Sequence, residues 1–331
     1  MKPTLQRGSI LILALWSLGL LTVFTISVGA VVQQRISLVS RIERRIQVYD
    51  AAEAGIRKAI VLLKSERAAV PLSAQKTALF DSPQFFKAVK VGSAVFEVSY
   101  YDGFGLRYGL IDEERKINVN TSDRVTLENL FKEVTPLSEE ARQDLASSII
   151  DWREYGESEA GEFFSDEYYD NLKFPYKEKK GDFESTEELR LVKGMTPAVY
   201  RAVSPFVTVY GTGKVNINTA PRPVLKALGM SDALTEAVLF IRRGKDGWEG
   251  TLDDVLFSAE SEIPMLEVIP PLVKLEDGDY FRNLYWQQKI GLESSHYMIQ
   301  SRGYFDNRKE KKDLTCVFDM DSAKIKYWHE Y

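Results

Sequence analysis

Apolar and polar positions over the first 68 residues form one helical pattern, which changes character after residue 32. Residues 9–32 carry no charge and are long enough to span the hydrocarbon core of a bilayer as a helix. Beyond them, apolar residues recur at helical spacing among charged ones. We therefore predict one continuous helix, with a transmembrane half at 9–32 and an amphipathic half at 33–68. Its packing face is predicted to contain Ile36, Val39, Ile46, Tyr49, Ile56 and Ile60.

Strand patterns occur at both ends of the remaining chain. One set lies at Ala94–Tyr101 and Tyr108–Glu114, and the other at 297–304, 313–318 and 324–328. Neither set makes a stable sheet alone. We predict an α+β fold in which both sets form one antiparallel sheet packed on the long helix. Its first part occupies residues 69–115, and its C-terminal strands occupy 281–331.

An internal repeat lies between the two strand sets. The segment Lys116–Ser122 (KINVNTS) returns as Lys214–Ala220 (KVNINTA), and two helical patterns follow each copy. An Asn-x-Asn-Thr run is typical of a turn whose side chains bond the backbone and start a helix. We therefore predict an inserted all-helical repeat domain at 116–280. Phe183–Leu189 is predicted to close the first unit and Trp248–Asp254 the second, and Thr186 and Thr251 are predicted to cap the helices that follow.

Composition removes several classes of function. The 331 residues contain one cysteine and two histidines, which excludes an internal disulfide and disfavours histidine-based metal sites and acid–base catalysis. The net charge of −5 disfavours a surface that binds nucleic acid throughout. No nucleophile elbow and no phosphate-binding glycine loop occurs in the sequence. We predict that the protein is not an enzyme.

The N-terminus carries the first part of a family resemblance. A short basic leader at residues 1–8 ends in Gly8, and the long helix follows from Ser9. This arrangement resembles the type IV pilins and pseudopilins, and it implies cleavage by the prepilin peptidase between Gly8 and Ser9. Most members carry Glu at the fifth residue after the cut, where this chain has Leu13. A plain signal anchor, or a secretory signal cut near Ala30, is the alternative interpretation.

The order of the motifs narrows the resemblance to the K-type minor pseudopilins of type II secretion systems. That class lacks the glutamate, and it carries the Asn-x-Asn-Thr repeats in a helical domain inserted into the pilin sheet. The resemblance implies a single-pass protein of the inner membrane, with a cytoplasmic N-terminus and a periplasmic bulk. It implies a place at the tip of the pseudopilus, where the protein initiates assembly with the I and J types and supports export by the secretion apparatus.

Two observations favour other interpretations. The repeats also resemble helix-hairpin-helix units, so a membrane-anchored DNA-binding protein is the alternative function. The segments at the hairpins, 134–138 and 229–232, lack the paired glycines that bind phosphate, so we expect no nucleic-acid binding. Four arginines follow the apolar segment and oppose the implied orientation under the positive-inside rule. They are Arg35, Arg41, Arg44 and Arg45.

Acidic residues are concentrated between residues 151 and 170. A solvated acidic surface is one interpretation of this cluster, and a glycosidase carboxylate pair is another. The resemblance implies the third, a calcium site in this domain, since Ca²⁺ takes 6–8 oxygen ligands. The predicted ligands come from Asp151, Glu154, Glu157, Glu159, Glu162 and Asp166.

Overall fold

A 62-residue N-terminal helix, Arg7–Ala68, is the largest element of the fold. The computed structural model describes residues 7–68, 80–101, 105–154, 165–245, 247, 255–257, 275–306 and 309–331. At about 1.5 Å per residue this helix, α1, is roughly 90 Å long. Its length and continuity confirm the helix predicted from the hydrophobic pattern.

The other elements follow α1 in two groups. The remaining helices are α2 (Pro83–Phe86), α3 (Arg124–Val134), α4 (Glu139–Arg153), α5 (Ser165–Asp170), α6 (Pro197–Val203), α7 (Arg222–Ala227), α8 (Asp232–Arg242) and α9 (Leu275–Trp286). The strands are β1 (Val89–Val91), β2 (Ala94–Val98), β3 (Tyr100–Tyr101), β4 (Leu106–Arg107), β5 (Ile111–Asp112), β6 (Ile117–Asn118), β7 (Val207–Thr208), β8 (Val215–Asn216), β9 (Ile290–Gly291), β10 (His296–Tyr304), β11 (Lys311–Asp319) and β12 (Lys324–Glu330).

Strands from both ends of the chain form one six-stranded antiparallel sheet, as the sequence predicts. Its order is β1-β2-β10-β11-β12, and β5 also pairs with β10. The two strand sets meet where β2 pairs with β10, with Ser301 opposite Val98 and Tyr304 opposite Val95. One face of the sheet packs on α1, which contacts β2, β10 and β11. This pilin-like α+β architecture confirms the predicted fold class.

One predicted strand is much shorter than expected. Tyr108–Glu114 forms strand only at Ile111–Asp112, and residues 113–115 turn into a 3-10 helix. The Asp112 carboxylate accepts the backbone N–H of Glu114 at 2.8 Å and so starts this turn. An aspartate that caps its own backbone in this way ends a strand.

The insertion is mostly helical, but it also holds two short parallel strand pairs that the sequence prediction omits. β6 pairs with β7, and β8 pairs with β9, each over two residues. Strands this short leave no alternating pattern to detect. Another correction concerns a helix cap, because Ser185 rather than Thr186 is the N-cap of the 3-10 helix Thr186–Leu191. Thr251 lies outside the described residues.

The part of the chain that follows the exposed part of α1 is called the head. It contains two separate hydrophobic cores. The sheet core joins α1 to the strands through residues such as Ile56, Phe96 and Cys316. The insertion core contains both repeats and extends to Phe281, Leu284 and Ile290. This core thus reaches beyond residue 280, where the insertion is predicted to end, because Phe281 and Leu284 of α9 and Ile290 of β9 are buried in it. The domain boundary itself stays a prediction.

Candidate assembly surface

The lower half of α1, defined as residues 10–47, lacks a protein partner along almost its whole length. Every residue in it is exposed except Ser40, which is half-buried. Its large apolar side chains from Ile10 to Ile46 are 45–76 % exposed. Among the described residues, α1 is the one helix long and apolar enough to cross a membrane. An apolar surface of this length requires lipid or another protein to cover it.

The upper half, defined as residues 48–65, packs on the sheet through small and branched residues. Val48, Ala52 and Ile56 are buried at 2 %, 0 % and 1 % exposure. The helix backbone lies very close to the sheet at Gly303. A Cβ atom added to this glycine would overlap the carbonyl oxygen of Val48 and lie 2.7 Å from the backbone nitrogen of Ala52. A Cβ on Gly55 would likewise overlap the Ser301 hydroxyl. Glycine on both elements lets helix and sheet approach this closely.

The six residues of the predicted packing face fall on both sides of this division. Ile56 lies in the sheet core, and Tyr49 and Ile60 pack against that core while partly buried. Ile36, Val39 and Ile46 are 60 %, 52 % and 52 % exposed. They belong to neither hydrophobic core of the described residues, so they stay candidates for contact with another helix or with lipid.

The predicted cleavage site lies at the start of the helix. Gly8 and Ser9 are both within the first turn of α1, directly after its first residue Arg7. Residues 1–6 of the leader lie outside the described residues. Cleavage between Gly8 and Ser9 stays a prediction.

The two Asn-x-Asn-Thr turns are matching structural clamps. The Asn118 and Asn216 side chains each accept a backbone N–H two residues on, at 2.9 and 3.0 Å. The Asn120 side chain bonds both backbone groups of Phe183. Its Oδ1 accepts the Phe183 N–H at 2.8 Å, and its Nδ2 donates to the Phe183 carbonyl at 3.0 Å. Asn218 holds Phe257 in the same way, at 2.7 and 3.0 Å. The segment Trp248–Asp254, predicted to close the second unit, lies outside the described residues.

An arginine from the second helix of each repeat completes each clamp. Arg153 donates to the carbonyls of Val119 and Ser122 at 2.5 and 2.8 Å. Arg242 donates to the equivalent carbonyls of Ile217 and Ala220, at 3.3 and 2.5 Å. Both guanidinium groups are therefore directed into their own turns, where they donate hydrogen bonds to backbone carbonyls rather than to a phosphate.

The hairpins of the repeats are also occupied internally, which bears on the DNA-binding alternative. In the second repeat, the Gly229 amide donates to Lys226 and the Met230 amide to Leu225, at 2.9 and 3.4 Å. The hydroxyl of Ser231 caps α8 by accepting the amide of Leu234. A helix-hairpin-helix unit binds phosphate through free amides at this place. These donors are already paired, so the geometry gives the DNA-binding alternative no support.

The predicted calcium ligands are only partly within the described residues. Asp151 is half-buried in the last turn of α4, and Glu154 is exposed with Oε1 at 3.8 Å from Arg153 Nη2. Glu157, Glu159 and Glu162 lie outside the described residues, and Asp166 is described only as part of α5. No group of three or more metal-binding side chains is assembled in the described part of the chain. Two carboxylates do not fit calcium alone, so the site stays a prediction.

A buried polar junction, which sequence analysis missed, connects the sheet to the insertion. The Asp112 Oδ2 accepts hydrogen bonds from Asn216 Nδ2, Thr219 Oγ1 and Ser294 Oγ at 3.0, 2.5 and 2.7 Å. Glu113 beside it pairs with Lys116 at 2.5 Å. These bonds tie the end of β5 to the second repeat and to the strand that leads back into the sheet.

Burial acts to raise the pKa of every carboxylate at the junction, but their net pKa shifts have opposite directions. Burial raises the pKa of Asp112 despite its hydrogen bonds. Burial also acts to raise the pKa of Glu114, but hydrogen bonds from His296 and Ser295 outweigh it, and the pKa of Glu114 is lowered. The pKa of Asp319 is held far below its usual range, because hydrogen bonds from Ser322 and Asp321 and the nearby His296 outweigh burial. The one local signal for this site was the acidic triplet at 112–114.

Comparisons with known proteins agree with this architecture. Residues 109–212, which include the first repeat, match the family model for protein K of the type II secretion system. Type II secretion system protein K of Pseudomonas aeruginosa is 28 % identical over 162 residues, or 46 % of this chain. This chain is thus similar in sequence to type II secretion system protein K over part of its length. The predicted resemblance is thereby confirmed, and the match covers 48 % of the Pseudomonas protein K, so this chain spans about half of that relative.

A solved structure has the same fold over most of the chain. It comes from the crystal structure of the GspK-GspI-GspJ complex of the enterotoxigenic Escherichia coli type 2 secretion system. The TM-score is 0.57 at 15 % identity, and the match covers 90 % of this chain and 99 % of that one. At this identity the likeness shows a shared fold, which extends over nine-tenths of this chain.

Proposed function

We propose that the protein is a minor pseudopilin of a type II secretion system. The lower half of α1 anchors it in the inner membrane as a single span, with its N-terminus in the cytoplasm and its head in the periplasm. The single observation that supports this function is the division of α1, since one half packs on the head and the other exposes an apolar surface. A subunit of a helical fibre requires such a surface for lipid before assembly and for neighbouring helices afterwards.

The place of the protein in the assembly follows from the size of the head. The insertion adds a second core beside the sheet core, so the head is much larger than a sheet and helix alone. Another subunit would be hard to stack above it. We propose that the protein occupies the tip and initiates assembly with I-type and J-type minor pseudopilins, and that it thereby supports export across the outer membrane.

Mature-protein mass tests the anchor and its processing. The full chain is expressed with a prepilin peptidase, extracted in detergent, and measured intact. We expect a chain that begins at Ser9, and a Gly8→Val variant that keeps its leader. A cut near Ala30, or a parent chain that stays whole beside an active peptidase, contradicts the proposal.

Co-purification of the full chain with I-type and J-type pseudopilins tests the assembly surface. Ile42→Asp with Ile46→Asp places charge on the exposed lower half, where these residues are 49 % and 52 % exposed. We expect this variant to lose the complex. The matched control is Val61→Asp, which is 64 % exposed on the upper half and should keep it. Failure of the unaltered chain to form a complex at micromolar concentration would remove the tip assignment.

Calcium binding by the acidic segment is part of the same proposal and has its own test. Melting curves of the full chain in detergent are compared in chelator and in millimolar calcium. Binding to the folded state raises the midpoint by mass action, and magnesium should substitute poorly. Identical midpoints, with no change in protease cleavage between residues 151 and 175, return this segment to a solvated acidic loop.

A further inference from the structure

We propose that the end of the head nearest the membrane segment is a docking surface for anionic phospholipid headgroups. This inference rests on the proposed function only in that α1 spans a membrane. The surface, named the basic collar, combines exposed basic residues of α1 with those of two turns of the sheet. It consists of Arg35, Arg41, Arg44, Arg45, Lys90, Lys309 and Lys311.

Two contacts place the sheet turns beside the arginines of α1. The hydroxyl of Ser93, in the turn between β1 and β2, donates to Gln47 Oε1 at 3.0 Å. Glu310, in the connection between β10 and β11, lies 3.2 Å from Arg44 Nη1. Both turns therefore lie at the level of residues 44–47 of the helix, at the end of the head where the exposed lower half begins.

The spacing on the helix places three of the arginines under the sheet. Arg41 and Arg44 precede the buried Val48 by seven and four residues, and Arg45 precedes the buried Ala52 by seven. Residues at these intervals share one face of a helix. Because Cα–Cβ bonds tilt toward the helix N-terminus, these side chains extend from the sheet-packing face toward the membrane segment.

The charge of this end is opposite to that of the whole chain. Residue 330 lies beside Tyr49 at this end, where Glu330 pairs with Lys312 at 3.2 Å. Over residues 33–47, 90–93, the described part of 305–312 and residue 330, eight basic side chains stand against four acidic ones, Glu43, Asp306, Glu310 and Glu330. The full chain has a net charge of −5. Glu310 pairs with Arg44, whereas Arg35, Arg41 and Arg45 form no ion pair with any residue that the structure describes. The collar thus presents positive charge that the head does not neutralise.

Distance along the helix fits a lipid surface. Arg35 is three residues beyond Val32, about 5 Å along the axis, and Arg41 is about 14 Å beyond it. Headgroups extend roughly 5–8 Å past the hydrocarbon. Arg35 therefore lies among the headgroups, and Arg41, with its long side chain, lies within about a Debye length of them. Exposed Ile36, Leu38 and Val39 between the arginines complete the apolar and basic mixture typical of an interface.

Lipid selectivity of the full chain tests the collar. The protein in uncharged detergent is offered equimolar phosphatidylglycerol and phosphatidylcholine with identical acyl chains, and retained lipid is counted by native mass spectrometry. We expect phosphatidylglycerol to be favoured about fivefold or more, and less so as salt rises. The triple variant Arg35→Gln, Arg41→Gln, Arg45→Gln should bring the ratio close to one, and the three Arg→Lys changes should preserve it.

A matched control removes equal charge from the distant part of the head. Lys132→Gln, Lys177→Gln and Lys324→Gln change three exposed lysines outside the collar and should leave the lipid ratio as in the parent. Equal retention of the two lipids by the parent, or unchanged selectivity in the triple arginine variant, overturns the proposal. So does displacement of phosphatidylglycerol by inorganic phosphate at matched ionic strength.

The outcome separates the collar from the proposed function. If the arginine variant keeps its lipid ratio but loses the I-type and J-type pseudopilins, the collar binds acidic protein and the lipid inference is wrong. Resistance of the full chain to alkaline extraction reports membrane insertion independently. A chain that inserts but shows no lipid preference refutes the collar alone, and a chain that is extracted refutes the anchor.

Discussion

The two halves of α1 belong to one unbroken helix, but they have opposite relations to the rest of the chain. The upper half buries small residues against the sheet, with Ala51, Ala52 and Ala59 all at 0 % exposure. The lower half carries long apolar side chains that no other described part of the chain covers, such as Trp16 at 71 % exposure. Both halves are helical, so secondary structure does not distinguish them. The difference shows that the helix surface used inside the head mixes small residues with branched ones such as Ile56, whereas the surface left for lipid or another subunit carries mostly large apolar side chains.

The largest expected effect comes from closing the space between the upper half and the sheet. Gly303→Ala places a methyl group against the backbone of Val48 and Ala52, where no flexible side chain can yield. We expect a loss of about 3–5 kcal/mol in the free energy of unfolding of the head. Denaturant titration of the full chain in detergent measures it. Gly105→Ala is the matched control, since nothing lies within 4 Å of its Cβ position.

An isoleucine pair on the same helix tests the division directly. Ile56→Ala removes a side chain that is 1 % exposed, and Ile46→Ala removes one that is 52 % exposed. We expect the first to destabilise the head by about 3 kcal/mol, because it leaves a cavity in the sheet core. The second should change stability by less than about 0.5 kcal/mol. Equal losses of stability would show that residue 46 also packs within the head.

A substitution in the insertion tests whether the stability of the head also depends on the insertion core. Asn218→Ala leaves the N–H and C=O of Phe257 without their partners. An unpaired buried backbone group costs about 1–3 kcal/mol. Asn129→Ala is the control, because Asn129 donates one longer bond of 3.3 Å to Ala227. Calorimetry should show a smaller loss for the control, and equal losses would mean that the clamp does not hold its segment.

Much of this architecture could be predicted from the sequence, because its signals are local and periodic. The helix follows from a 3.6-residue pattern over more than fifty residues, and the long strands β10 and β11 follow from alternation. The repeated segments Lys116–Ser122 and Lys214–Ala220 predict equivalent turns, because the same side chains recur at the same spacing. Even the arginines that end α4 and α8 could be placed, since Arg153 and Arg242 hold equivalent positions.

The remaining features depend on partners far away in the chain. Asp112 accepts hydrogen bonds from Asn216 and Ser294, which lie more than a hundred residues later in the chain. No residue near position 112 indicates that these two would be its partners. The pattern of its segment predicts a strand buried by apolar packing, whereas burial here rests on hydrogen bonds. A lone glycine such as Gly303 likewise indicates a weak point in a strand. Glycine is required at this position because the backbone of α1 lies against it, and no local sequence pattern indicates that contact.

The smallest expected effect distinguishes the two regions by their response to acid. The lower half of α1 contains one carboxylate, Glu43, whereas the head buries Glu114 and Asp319 with lowered pKa values. A lowered pKa in the folded state adds stability that is fully present above the ordinary values of 4.5 and 3.8. This stability is lost as pH falls below those values and through the lowered ones. Asp112 opposes this loss, because its raised pKa favours the folded state as it protonates.

We therefore expect the melting midpoint of the head to fall by several degrees between pH 5 and pH 3, while α1 stays inserted. Glu114→Gln should flatten this dependence, since it removes a group whose protonation favours unfolding. Asp112→Asn should steepen it, since it removes the opposing group. Glu140→Gln, an exposed change on α4, serves as the control for lost charge. Circular dichroism of the full chain in nanodiscs follows head and helix together. If acid releases the chain from the membrane before the head melts, the lower half depends on the head, and the two regions are not independent.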